Sequence, residues 1–234
     1  MKTKRHILLI LAGLIVMASL SLVYAEDEGE RNEREREEER GRTYRVTITN
    51  LTRGQIISPP VVFSHRGGFD LFNLGQPSSD GLAALAEDAA TDTLESELLA
   101  SSRVFSVAKA AGGIPPGQSI TVDINAFGPF RFISTAGMLV VTNDAFFSAR
   151  NIRVPRGFGT SSQVAVAYDA GSEVNSESCE FIPGPPCGNG GVRDTEGAEG
   201  YVHVHAGIHG IGDLAPEQHD WRNPVALVEV QRAR

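Results

Sequence analysis

The chain has 234 residues, with 21 Lys and Arg against 29 Asp and Glu and a net charge of −8. Hydrophobic residues at 41% and charged residues at 21% describe a globular chain with room for one large domain or two small ones. An acidic chain without basic runs argues against nucleic-acid binding. With 25 Gly, 12 Pro and only 7% aromatic residues, a turn-rich β protein is favoured over a helical bundle. Two cysteines are too few for a disulfide-built miniprotein or a four-thiolate zinc site.

Lys2, Lys4 and Arg5 precede an uncharged apolar run from 7 to 24, and Val23-Tyr24-Ala25 places small residues at the −3 and −1 positions before Glu26. This predicts a secretory signal peptide over 1–25. The run is just long enough to span a bilayer as an uncleaved anchor, but Gly13, Ser19 and Ser21 weaken it as a permanent span. No cysteine stands at the cleavage site for a lipid anchor. Cleavage leaves 18 basic against 29 acidic residues, a net charge of −11, in a secreted or periplasmic protein without stable membrane insertion. Residues 26–42 hold nine acidic and five basic groups and almost nothing apolar. They predict a charged, disordered spacer, or at most a frayed, salt-bridged helix.

One domain is expected over 43–234. Tyr44-Arg45-Val46-Thr47-Ile48-Thr49-Asn50 alternates apolar and polar residues as a half-buried strand does. Residues 56–64 are interrupted by Pro59-Pro60 and read as an edge strand at best. Residues 79–101 hold the helical signal, better divided into two short helices than drawn as one. Leu82, Leu85, Ala86 and Ala89 form one stripe, and Asp92 with Glu95 resembles a capping box. Further strands are expected at 104–108, 119–124, 137–142, 152–154, 163–168, 201–205 and 225–231, separated by Gly/Pro turns and a long loop over 171–200. The fold class expected is all-β, a sandwich or barrel with one or two short helices inserted.

Export changes the reading of the cysteines. Cys179 and Cys187 flank a Pro-rich loop and are expected to form a disulfide in an oxidising compartment. A loop this short restricts the unfolded chain by roughly 2–3 kcal/mol at most, so the bridge staples a loop.

Two constellations carry chemistry. In Tyr168-Asp169-Ala170-Gly171-Ser172-Glu173-Val174-Asn175, the carboxylates of Asp169 and Glu173 are four apart across a glycine. A tight loop can point both at one place, and Asp144, just past the strand expected at 137–142, can add a third. Loop oxygens of this kind suit calcium. In Tyr201-Val202-His203-Val204-His205-Ala206-Gly207-Ile208-His209, His203 and His205 are two apart and would share one face of a strand, with His209 folding back. Three neutral imidazoles suit zinc or copper, with His219 and Asp220 available to complete the set. The competing reading has these histidines hydrogen-bonding loop backbone or carboxylates beside Asp169. His65 has no evident partner and is expected in a surface loop.

The 168–175 segment resembles the Asp-Ala-Gly-Ser/Thr-Asp/Glu element of the spondin domain. The strand at 44–50 followed by Pro59-Pro60, the segment 137–144, and the tail from Gly200 to Trp221-Arg222-Asn223-Pro224 are similar as well. The resemblance covers about 43–234 and implies an antiparallel, C2-like β-sandwich that holds calcium on Asp144, Asp169 and Glu173. It also implies a cell-adhesion role at the cell exterior, with an extracellular or cell-surface ligand. Two positions depart from the animal pattern: Asn143-Asp144-Ala145 stands in place of Pro-Asp-Trp, and the second loop carboxylate is the longer Glu173.

Enzyme signatures are missing. There is no Gly-x-Ser-x-Gly turn, phosphate-binding Gly-Lys-Ser/Thr loop or His-Glu-x-x-His. A cupin site wants Glu near position 209, where His209 stands. Trp221, the only tryptophan, is expected to plug the core edge. The expectation is a non-catalytic, secreted calcium-binding domain. The alternative is a zinc or copper protein, or a metalloenzyme, built on His203, His205 and His209.

Overall fold

The structure is a computed structural model that describes residues 41–233. The signal peptide expected over 1–25, and all of the 26–42 spacer but its last two residues, lie outside the described residues. From Arg42 onward the chain forms one compact unit.

Strands β1 (Arg42–Asn50), β2 (Val61–His65), β3 (Val104–Lys109), β4 (Ser119–Ala126), β5 (Phe132–Met138), β6 (Ala145–Arg153), β7 (Thr160–Asp169), β8 (His203–Val204) and β9 (Ala226–Arg232) pair in one antiparallel sheet. Its order is β3-β2-β5-β6-β7-β9-β1-β4, with β8 on the side of β7. Helices α1 (Asp80–Asp88) and α2 (Asp92–Ala100) are inserted between β2 and β3, and a single turn, α3 (Pro216–His219), precedes β9.

β7 turns the sheet. Its residues 160–165 pair with β9, and residues 166–169 pair with β6. The path then coils until its two ends approach: the Ser64 hydroxyl donates to the Asn125 carbonyl at 2.6 Å, and Phe105 packs on Phe127 at 4.9 Å between ring centroids. The fold is thus all-β with small helical insertions, and the β7 bend joins everything into one nearly closed, barrel-like sheet.

Burial differs across that sheet. β1 and β4 alternate, with Tyr44, Val46, Ile48, Val122 and Ile124 inward and polar partners outward. β2, β5 and the first half of β6 are buried on both faces. Val62, Phe147 and Ala149 fill the barrel, while Val61, Phe63 and Phe146 pack outward against Leu82, Leu85, Leu94 and Leu98 of the two helices.

Strands buried on both faces lose alternation, and this is where the sequence-based elements shift. β2 is no edge strand: it begins just after Pro59-Pro60 and pairs with both β3 and β5. The strand expected at 137–142 lies earlier, at 132–138, because the chain turns at Thr142, whose hydroxyl donates to the Leu139 carbonyl at 2.6 Å. The strand expected at 152–154 is the tail of β6, so Asp144 precedes a strand instead of following one. β8 is only two residues long. His65 is a core residue, its Nε2 within 2.8 Å of the Ser134 hydroxyl. Asp92 and Glu95 form no capping box. Thr91 is the N-cap of α2, and both carboxylates pair with Lys109. α1 does start with a cap, Ser79 accepting from the Leu82 amide at 3.2 Å. Trp221 is buried in the main core as expected.

Cys179 and Cys187 are joined in a disulfide, which points to an oxidising, extracytoplasmic environment. Among the described residues no helix is long and apolar enough to cross a membrane. Non-reducing peptide mapping should recover Cys179 and Cys187 in one linked pair, and reduction should lower the unfolding free energy by no more than about 3 kcal/mol. Alkylation of both thiols without reductant would contradict the pairing.

Candidate metal centre

The register of β6 on β7 sets the site. Ala145 lies opposite Asp169, so Asp144 and Asp169 come to the same end of adjacent strands, and the Ala170 amide donates to the Asp144 carbonyl at 3.2 Å. Beyond Asp169 the chain turns at Gly171, whose φ is +69°. A Cβ there would lie 2.3 Å from the Tyr201 carbonyl oxygen, so only glycine fits both the dihedral and the space. The turn aims its amides inward. Gly171 donates to Asp169 Oδ1 at 2.7 Å, and Ser172 and Glu173 donate to Asp144 Oδ2 at 2.8 and 3.0 Å. The Asn175 side chain donates to Asp169 Oδ2 at 2.6 Å.

Asp144, Asp169 and Glu173 are all 0% exposed. Asp144 Oδ1 and both Glu173 oxygens accept no hydrogen bond among the described residues. Burial, reinforced by the Asp169 charge, pushes the Asp144 carboxyl up to about 7. Burial, then the Glu87 charge, pushes Glu173 up to about 8, and Asp169 is raised by burial too. The nearest compensating charge for Glu173 is Arg193, 3.9 Å from its Oε1. That guanidinium is already committed to Glu87 and Asp88 at the end of α1.

A second grouping shares Asp169. Ligand atoms of Asp169, Glu199 and His203 all lie within 4.8 Å of one another and can hold a metal ion. His203 Nε2 is 3.6 Å from Asp169 Oδ1 and 3.9 Å from Glu199 Oε1. Its Nδ1 lies 3.1 Å from the Val204 carbonyl. A carbonyl only accepts, so in the neutral ring the proton sits on Nδ1 and Nε2 turns a lone pair toward two carboxylate oxygens. Three acceptors facing one another call for a cation or a proton between them.

His203 and His205 do face the same carboxylate, His205 Nε2 lying 3.9 Å from Asp169 Oδ2. Yet His205 Nδ1 accepts from the Gly207 amide at 2.9 Å, which leaves the proton of the neutral ring on Nε2 and no free lone pair there. Burial, with His203 and His209 nearby, lowers its pKa to about 4, so the ring stays neutral against Trp221. The side of His209 is exposed, and its backbone amide donates to Glu177. Asp220 accepts from the Ile208 amide and from Arg222. Of the histidine set, His203 therefore has ligand geometry, while His205 and His209 do not offer a lone pair to the same point.

Three residues of this end carry no signature in the sequence. Glu199 and Arg193 lie in a Gly-rich loop without periodicity. Glu177 is buried and takes three successive amides, His209, Gly210 and Ile211, at 2.5, 2.7 and 3.0 Å, tying the 205–213 loop to the carboxylate end. No protein-family model and no curated protein matches the chain.

The buried carboxylates fix a pH dependence. His65 and His205 are held neutral by burial in the fold, and the unfolded chain sheds its remaining imidazole protons above about pH 6.5, a smaller effect of opposite sign. The unfolded chain holds its carboxylates ionised here, whereas the metal-free fold holds protons on Asp144 and Glu173 until pH passes about 7 and about 8 respectively. The fold binds more protons, so its stability falls as pH rises. Denaturant titrations of metal-free protein should show a loss of about 2 kcal/mol between pH 6.5 and 8. A flat or rising profile would contradict the burial of these groups as acids.

Proposed function

We propose that this protein is a secreted or periplasmic, non-catalytic binding domain whose loop end is organised by calcium on Asp144, Asp169 and Glu173. The observation carrying the reading is the set of buried carboxylate oxygens without hydrogen-bond donors, Asp144 Oδ1 and both oxygens of Glu173. Calcium accepts six to eight oxygens in flexible geometry and supplies the missing positive charge. Carbonyls or water fill the rest of its shell. The ion would tie the start of β6 to the loop after β7, and through Glu173 to the Arg193 loop, giving a rigid surface to an extracellular or cell-surface ligand. The resemblance of 168–175 to the spondin element supports the same ligands and an adhesion role.

A second reading is favoured by one specific observation, the convergence of His203 Nε2 with Asp169 and Glu199. An imidazole beside carboxylates suits zinc or copper better than calcium. The two readings differ in what removes the response. At 100-fold over its dissociation constant, calcium should stabilise the chelator-treated protein by about 2.7 kcal/mol, a rise in melting temperature of about 5–10 °C. Glu173→Gln should abolish most of that rise without lowering the metal-free melting temperature, and His203→Ala should leave it in place. A melting temperature indifferent to calcium and chelator, but raised by zinc in a His203-dependent way, would replace the first reading with the second.

A further inference from the structure

The opposite end of the barrel has the reverse charge. The antiparallel register gathers there the start of β1, the end of β2, the start of β3, the β4–β5 and β6–β7 turns, and the end of β9. Each of these places brings arginine. Arg66 and Arg103 lie side by side, the Arg66 amide donating to the Arg103 carbonyl at 2.9 Å. Arg131 and Arg153 flank the paired turns, where the Val154 amide donates to the Arg131 carbonyl at 2.9 Å and Phe132 lies opposite Arg153. Arg156 stands on the β6–β7 turn, and Arg42 and Arg232 close the ring on β1 and β9. Among the described residues, the loops of this end carry one carboxylate, Asp70. Among the described residues, the ion pairs formed by arginines involve Arg45, Arg193 and Arg222 and none of this ring.

Aromatic rings stand among these cations. Phe158, on the β6–β7 turn between Gly157 and Gly159, is 77% exposed, the Arg232 guanidinium 5.7 Å from its centre. Phe105, Phe127 and Phe130 pack together at 4.9–5.7 Å, with the Arg66 guanidinium 4.5 Å over Phe130. A soluble polyanion would be met by the arginines alone and gives no reason for an apolar ring at the tip of the turn. Cations in a ring around an exposed aromatic tip match a bilayer surface, where phosphates meet the guanidinium groups and the ring enters the headgroup boundary.

We propose that the arginine end of the barrel docks on an anionic lipid surface, with Phe158 entering the interface and Arg153, Arg156, Arg131 and Arg232 meeting lipid phosphates. Docking in this way is peripheral. It points the carboxylate end away from the membrane, so the described domain approaches an anionic surface by its arginine-bearing end.

The test is co-sedimentation of the full mature chain with vesicles of phosphatidylcholine alone or mixed with phosphatidylglycerol. Binding is expected to the mixed vesicles, to fall steeply with added NaCl, and to be absent from phosphatidylcholine alone. Arg153→Glu combined with Arg156→Glu should weaken binding by about tenfold or more. Phe158→Ala should weaken vesicle binding while leaving retention on immobilised dextran sulfate unchanged. Lys109→Ala, at the far end of β3, should change neither. All four substituted side chains are exposed or half-exposed, and an unchanged melting temperature confirms that the variants fold. Equal binding to both vesicle types, binding to dextran sulfate but to neither vesicle, or vesicle binding indifferent to the arginine and phenylalanine substitutions would each overturn the proposal.

Discussion

Carboxyl groups buried without a matching positive charge are the constraint that shapes one whole end of this protein. Removing a carboxylate from water is costly unless donors or a counter-ion replace the lost hydration. Here the Gly171 turn supplies amides to one oxygen of Asp144 and one of Asp169, and Asn175 reaches the other oxygen of Asp169. Those donors satisfy one side of the cluster. Asp144 Oδ1 and both Glu173 oxygens are left without a hydrogen-bond donor among the described residues. The group whose ligand atoms lie within 4.8 Å of one another and could hold an ion is Asp169, Glu199 and His203, so Asp169 is shared between that group and the half-satisfied acids.

The rest of the architecture makes that arrangement possible. β7 belongs to both parts of the sheet, so its last residue, Asp169, sits where the sheet bends and three segments meet: the start of β6, β8 and the loop after β7. The long irregular stretch that follows is held by local devices. Glu177 collects three amides, Arg193 ties its loop to α1 through Glu87 and Asp88, and the disulfide closes 179–187. Neutral His205, fixed by Gly207 and Trp221, lines the back of Asp169 and adds no charge to it. At the far end the charge is inverted, so among the described residues the barrel has an acidic and a basic end.

Much of this was legible in the residues, and what was not has a physical reason. β1, β4 and β9 were recognisable because one face of each is wet, so apolar and polar residues alternate. β2, β5 and β6 were misplaced because the barrel core and the helices bury both their faces, which erases alternation. Asp144, Asp169 and Glu173 stood out as carboxylates near strand ends and a glycine turn. Their complete burial did not, since loop acids are ordinarily solvated. Glu199, Glu177 and Arg193 were invisible because tertiary pairing alone gives them a role. The basic pole was invisible for the same reason: its arginines are scattered from 42 to 232 in sequence and meet only through the antiparallel register.

If the half-satisfied carboxylates are a calcium site, the ion must displace protons from them. The most direct measurement is calorimetric titration of calcium into metal-free protein at pH 7.5, in two buffers of different ionisation heat. With Asp144 near 7 and Glu173 near 8, about one proton should leave per calcium bound, and the apparent enthalpies should differ by that amount of buffer ionisation. Binding heat independent of the buffer, or no binding at all, would contradict the account.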